Sequence, residues 1–110
     1  MSTETLYIGT YTCPILFGTG EILHGKGKGI HIYEMDTDTG ELIPVSVEEG
    51  VDNPSFLAIS PGKDYLYAVN ELKEFEGSKC GSVSSFAIEK TRRLRFLNKK
   101  PTGGQDPCHV

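Results

Sequence analysis

The chain has 110 residues, 37% hydrophobic and 24% charged, with a formal net charge of −4. This length suits one small domain, and no apolar run approaches the ~20 residues needed to cross a bilayer as a helix. The acidic balance argues against nucleic acid as a partner. Residues 1–12 lack the basic start and apolar centre of a secretory signal. Cys13, Cys80 and Cys108 are an odd set without metal-ligand spacing, and they read as reduced thiols of a cytoplasmic protein.

Taken in order, the chain offers short β-rich runs: Leu6–Tyr11, Ile30–Met35, Leu42–Val47, Phe56–Ser60, Tyr65–Asn70, Ser82–Glu89 and Leu94–Asn98. No stretch sustains the three-and-four apolar spacing of an amphipathic helix. Asp36-Thr37-Asp38-Thr39-Gly40 and Ser60-Pro61-Gly62-Lys63-Asp64 read as turns, with glycine for positive φ and proline for the first turn position. The long Tyr11–Lys28 connection reads as a flexible surface loop. Its Gly20–Gly27 stretch approaches a phosphate-binding loop but lacks the final Ser or Thr, and a strand follows it rather than a helix.

The runs repeat. Gly29 to Gly81 and Leu42 to Leu94 are each displaced by 52 residues, and Pro54 to Pro107 by 53. Leu6-Tyr7-Ile8-Gly9-Thr10 echoes Leu66-Tyr67-Ala68-Val69-Asn70 at a displacement of 60. One period holds four strands on short links, hence antiparallel, and several strands are apolar on both faces. A sheet covered on one side would alternate cleanly. Four-stranded units of this length that stack face to face are blades of a β-propeller.

The expectation is therefore an all-β propeller whose ring does not close within the chain. Three strands over residues 6–47 make an incomplete blade, residues 56–98 a complete one, and Cys108-His109-Val110 the start of a third. Because lone blades cannot cover their faces, residues 1–110 read as the N-terminal blades of a larger ring, with C-terminal blades as their missing partners. A small β-sandwich is the other reading.

Leu6-Tyr7-Ile8-Gly9-Thr10-Tyr11-Thr12 resembles the opening strand of the lactonase-type seven-bladed propellers, the 6-phosphogluconolactonase and carboxymuconate cyclase family. Asn53–Ala58, Tyr65–Glu71, Pro101–Gly104 and Pro107–Val110 resemble further motifs of that family, in its order. The match runs from Leu6 to Val110, about the first third of a full-length member, so about two of seven blades. The resemblance implies a hydrolase of a small-molecule sugar lactone, typically 6-phospho-D-glucono-1,5-lactone, with neither metal nor cofactor. It also implies that the arginines gripping the substrate's phosphate lie in later blades, leaving these residues alone inactive. Arg92-Arg93 departs from the pattern, standing where a Thr-Gly turn is usual. The alternatives are a cycloisomerase acting on a carboxymuconate and a non-catalytic binding propeller.

Two residues are singled out for catalysis. His109 falls where the first repeat has Phe56, on an expected innermost strand; imidazole there suits removal of a proton from attacking water. The resemblance also puts a channel histidine of this motif in the proposed active site. Glu71 ends a strand at the same rim, where the first repeat has Tyr11, so the blade itself does not require a carboxylate. Asn70 reads as a turn-stabilising amide and Cys108 as a buried packing thiol, pointing away from its neighbour His109. Lys90, Arg92, Arg93, Arg95, Lys99 and Lys100 read as the charged guard of an edge strand.

Overall fold

Turn chemistry sets the frame. The computed structural model describes residues 2–110, and no helix occurs among them. The strands are β1 (Thr3–Ile8), β2 (Pro14–Leu16), β3 (Ile22–His24), β4 (Gly29–Asp36), β5 (Leu42–Glu49), β6 (Leu57–Ile59), β7 (Tyr65–Asn70), β8 (Ser82–Ile88) and β9 (Leu94–Pro101). They form a three-stranded sheet β1-β4-β5, a four-stranded sheet β6-β7-β8-β9 and a two-stranded ribbon β2-β3, every pair antiparallel. The two larger sheets are the expected blades.

Hydrogen-bond register corrects the repeat. In the first blade Ile32 pairs with Ser46 and Tyr33 with Pro44, so Val45 is an extra bulged residue. In the second, Ser85 pairs with Asn98 and Phe86 with Phe96, so Leu97 is the bulge. Thus β5 maps on β9 at a displacement of 52, as read from sequence, but β4 maps on β8 at 53. The hairpin loop accounts for the difference. In the first blade the Gly40 N–H reaches back to Asp36 O; in the second the Arg92 N–H reaches only to Glu89 O. The second loop is one residue shorter, and the Gly29/Gly81 match is out of step by one.

A one-residue step exchanges the two faces of a strand, which explains the core. Ile30, Ile32 and Val51 of the first blade side meet Leu66, Ala68, Phe86 and Leu94 of the second. Ile30 and Ile32 correspond to Val83 and Ser85, which lie on the opposite face from buried Phe86. The blades therefore bury opposite faces against each other, as leaves stacked around an axis do. Each fully buried aliphatic or aromatic side chain contributes about 1.5–3 kcal/mol. The far face of the second blade leaves Tyr65 and Tyr67 partly in solvent.

Three further expectations change. The Tyr11–Lys28 connection is no plain loop, because β2 and β3 pair across it; its strands, three residues each, are too short to read from composition. Cys108-His109-Val110 forms no strand, having no pairing partner among the described residues. Cys108, in that unpaired stretch, is exposed rather than buried. The expected edge guard is partly right: Arg95, Lys99 and Lys100 lie on β9, the outermost strand of its sheet, while Lys90, Arg92 and Arg93 form the preceding turn.

Candidate active site

The ends of β1 and β7 lie at corresponding places in the two blades, and the chain just beyond each carries the polar cluster. Gly9 permits the approach. A side chain there would collide with the Pro54 carbonyl, so the first blade reaches the Asn53-Pro54 corner only because position 9 has no Cβ.

Asn53 then joins the blades. Its Oδ1 accepts the Thr12 N–H at 2.9 Å and the Cys13 N–H at 2.8 Å, its own N–H donates to Thr12 Oγ1 at 3.0 Å, and its Nδ2 donates to the Glu71 carbonyl at 3.1 Å. Both polar side-chain atoms of this buried amide are thus engaged, as burial requires. Asn70 is a second internal brace rather than a turn amide. Its Oδ1 accepts from Ser82 Oγ at 3.0 Å and Ser84 Oγ at 2.7 Å, and its Nδ2 donates to the Asp52 carbonyl at 2.8 Å.

Glu71 follows directly on Asn70 and is only 8% exposed. Ser55 Oγ donates to its Oε1 at 2.7 Å, and the Tyr11 hydroxyl lies 3.1 Å from Oε1 and 3.2 Å from Oε2. No cation pairs with it; the ion pairs among the described residues are Lys73–Asp106 and Arg95–Glu89. A buried carboxylate held by neutral donors alone leaves acceptor capacity for a ligand, whereas an ion pair would take up that capacity. Burial first, then the Glu71 charge, hold the Tyr11 phenol above its ordinary value of 10.0; Asp106 and Cys108 add to the rise.

His109 is exposed, and its ring rests on Phe56 with centroids 4.4 Å apart and planes tilted by 46°. It makes no hydrogen bond to Glu71. The two residues singled out from sequence are instead linked through the Ser55-Phe56 dipeptide, whose serine holds the carboxylate and whose phenylalanine supports the imidazole. Sequence reasoning missed Tyr11, Ser55 and Phe56 as members of this cluster. The available signal was the repeat itself, since Tyr11 matches Glu71 and Phe56 matches His109. Among the described residues, no group of three or more His, Cys, Asp or Glu side chains could hold a metal ion, and no helix is long and apolar enough to cross a membrane.

Comparison with known proteins agrees with this architecture. A 6-phosphogluconolactonase of Formosa agariphila is 33% identical over 85 residues, spanning 76% of this chain and 23% of its own. One of Bacillus subtilis is 30% identical over 105 residues, spanning 94% of this chain and 26% of its own. The crystal structure of a putative 6-phosphogluconolactonase from Bacteroides uniformis superposes with a TM-score of 0.78 at 33% identity, covering 100% of this chain and 28% of that one. The chain thus spans about a quarter of the length of the curated relatives it matches. Residues 5–110 match the family described as Lactonase, 7-bladed beta-propeller, and the chain belongs to that family.

Proposed function

We propose that the full-length protein hydrolyses a sugar lactone, 6-phospho-D-glucono-1,5-lactone being the first substrate to test, with 6-phosphogluconate as product. Family membership and the names of both curated relatives support the substrate class. The observation that carries the reading is that one dipeptide, Ser55-Phe56, holds both a buried carboxylate without a cationic partner among the described residues, Glu71, and an exposed imidazole, His109.

In this reading His109 takes a proton from water as the water oxygen bonds to the lactone carbonyl carbon. The ring C–O bond then breaks, and the alkoxide leaving group takes up the proton. Glu71 binds sugar hydroxyls and orients the substrate beside the imidazole. The remaining walls of the channel, with the groups that hold the phosphate, come from other blades of the ring. A cytoplasmic location belongs to the same reading, supported by three cysteines that form no disulfide; cell fractionation tests it.

The test is turnover of 6-phosphogluconolactone by the full-length chain, measured above its spontaneous hydrolysis, beside a carboxymuconate as competing substrate. Acceleration with the lactone that falls about 10²–10⁴-fold in His109→Ala supports the reading. No acceleration, or an unaltered rate in both His109→Ala and Glu71→Ala, overturns it.

A further inference from the structure

We propose that Tyr11 is a positioning residue of this site: its phenol, carried by the first blade, fixes the Glu71 carboxylate of the second. The proposal rests on the lactone-hydrolase reading above and adds to it the residue that couples one blade to the other's reactive group.

The geometry is specific. A phenol has one proton, yet the Tyr11 oxygen lies nearly equidistant from both carboxylate oxygens, at 3.1 and 3.2 Å. The proton is shared between them, and the hydroxyl faces the open edge of the carboxylate. Ser55 adds a 2.7 Å bond to Oε1 alone. Oε2 therefore keeps only a share of the phenol proton, and it is the oxygen with capacity left for a substrate hydroxyl. Without a cationic partner, these two hydroxyls supply the side-chain hydrogen bonds that orient the carboxylate.

The origin of the two groups gives the contact its function. Tyr11 follows β1 and Glu71 follows β7, so the bond crosses from one blade to the next. Any rotation of one blade against its neighbour changes the carboxylate's orientation. The phenol also stays a donor throughout the neutral range, because burial and the Glu71 charge oppose its ionisation. Asn53 supports both partners through the backbone, accepting from Thr12 N–H, next to Tyr11, and donating to the Glu71 carbonyl.

The experiment uses the full-length chain and Tyr11→Phe, which keeps the ring and loses the donor. With 6-phosphogluconolactone, kcat falls about tenfold while KM stays within about twofold, as expected for lost alignment rather than lost binding. The carbon-13 carboxyl titration midpoint of Glu71 moves to higher pH than in wild type, since the ionised carboxylate has lost a hydrogen bond. Incorporating 3-fluorotyrosine at position 11, a stronger donor of nearly the same shape, moves that midpoint to lower pH and provides the readout should Tyr11→Phe fail to fold. An unmoved midpoint with wild-type kcat overturns the proposal. A carbon-13 carboxyl titration of Glu71, in wild type and in the position-11 variants, reports the coupling without turnover. If the wild type hydrolyses no lactone, the functional reading falls and this titration decides: a displaced midpoint upholds the Tyr11–Glu71 coupling, and an unchanged one overturns it.

Discussion

Phe56 and His109 hold matching positions in successive repeats, 53 residues apart, and their rings touch at a centroid distance of 4.4 Å. Tyr11 and Glu71 repeat the relationship at a displacement of 60, within hydrogen-bond distance. Matching positions of successive repeats thus meet at one corner, where both blades contribute side chains to one small volume.

Phe56 consequently acts as a support for the imidazole. Phe56→Ala should leave His109 free to rotate and lower kcat on the lactone about three- to tenfold, a loss of alignment rather than of chemistry. Phe56→Tyr keeps the ring face and should retain most of the rate. Steady-state kinetics of both variants check this, and equal losses in the two would remove the supporting role.

Asn53→Asp removes one bond of this corner and keeps those to the first blade. Aspartate still accepts from Thr12 and Cys13 N–H and tolerates the positive φ of 39° found there, but it cannot donate to the Glu71 carbonyl. An acceptor–acceptor contact in a buried corner should cost about 1–3 kcal/mol, read as a lower urea midpoint with an unchanged slope. Its repeat counterpart Asp106 also has positive φ, 51°, yet it pairs with Lys73 nearby, so the corner keeps its backbone shape while its partners change.

Much of this architecture was legible because turns announced it. Asp36–Gly40 and Ser60–Asp64 punctuate the strands where the structure bends, and the described residues are strands and turns without a helix. The β2–β3 ribbon escaped because glycine-rich composition outweighs three-residue strands in any local reading. Matching Gly29 to Gly81 by identity fixed the wrong displacement, since hydrogen-bond register, not residue type, aligns strands. His109 and Glu71 stood out as departures from the repeat. Tyr11 did not, because its role arises only when two blades pack and bring residues 60 positions apart into contact.

Arg92 occupies a glycine's conformation. Its φ is 71°, against 78° for Gly40 at the matching place in the first hairpin. A side chain in this region costs free energy that glycine avoids, partly offset by glycine's greater freedom when unfolded. Arg92→Gly should therefore stabilise the fold by up to about 1 kcal/mol, seen as a higher denaturation midpoint. The inter-blade bond from the Tyr7 hydroxyl survives, because it is accepted by the Arg92 backbone carbonyl at 2.6 Å. A lower midpoint would show that the guanidinium itself holds the turn.

Glu48, on β5 beside a small cleft that Phe86 and Phe96 also line, gives the fold an acid dependence of defined sign. Burial raises its carboxyl above the ordinary 4.5, and the positive charge of Arg93 only partly opposes the rise. The folded chain therefore holds this proton more tightly than the unfolded chain. The stability Glu48 contributes is fully present below pH 4.5 and is lost as pH rises through the raised folded value. Glu48→Gln, which stays uncharged, should melt higher than wild type at pH 7, and the advantage should shrink as pH is lowered below 4.5. Thermal midpoints of both proteins at pH 4 and pH 7 decide the matter. A variant that melts lower than wild type at pH 7 would mean that attraction to Arg93 outweighs desolvation at this position.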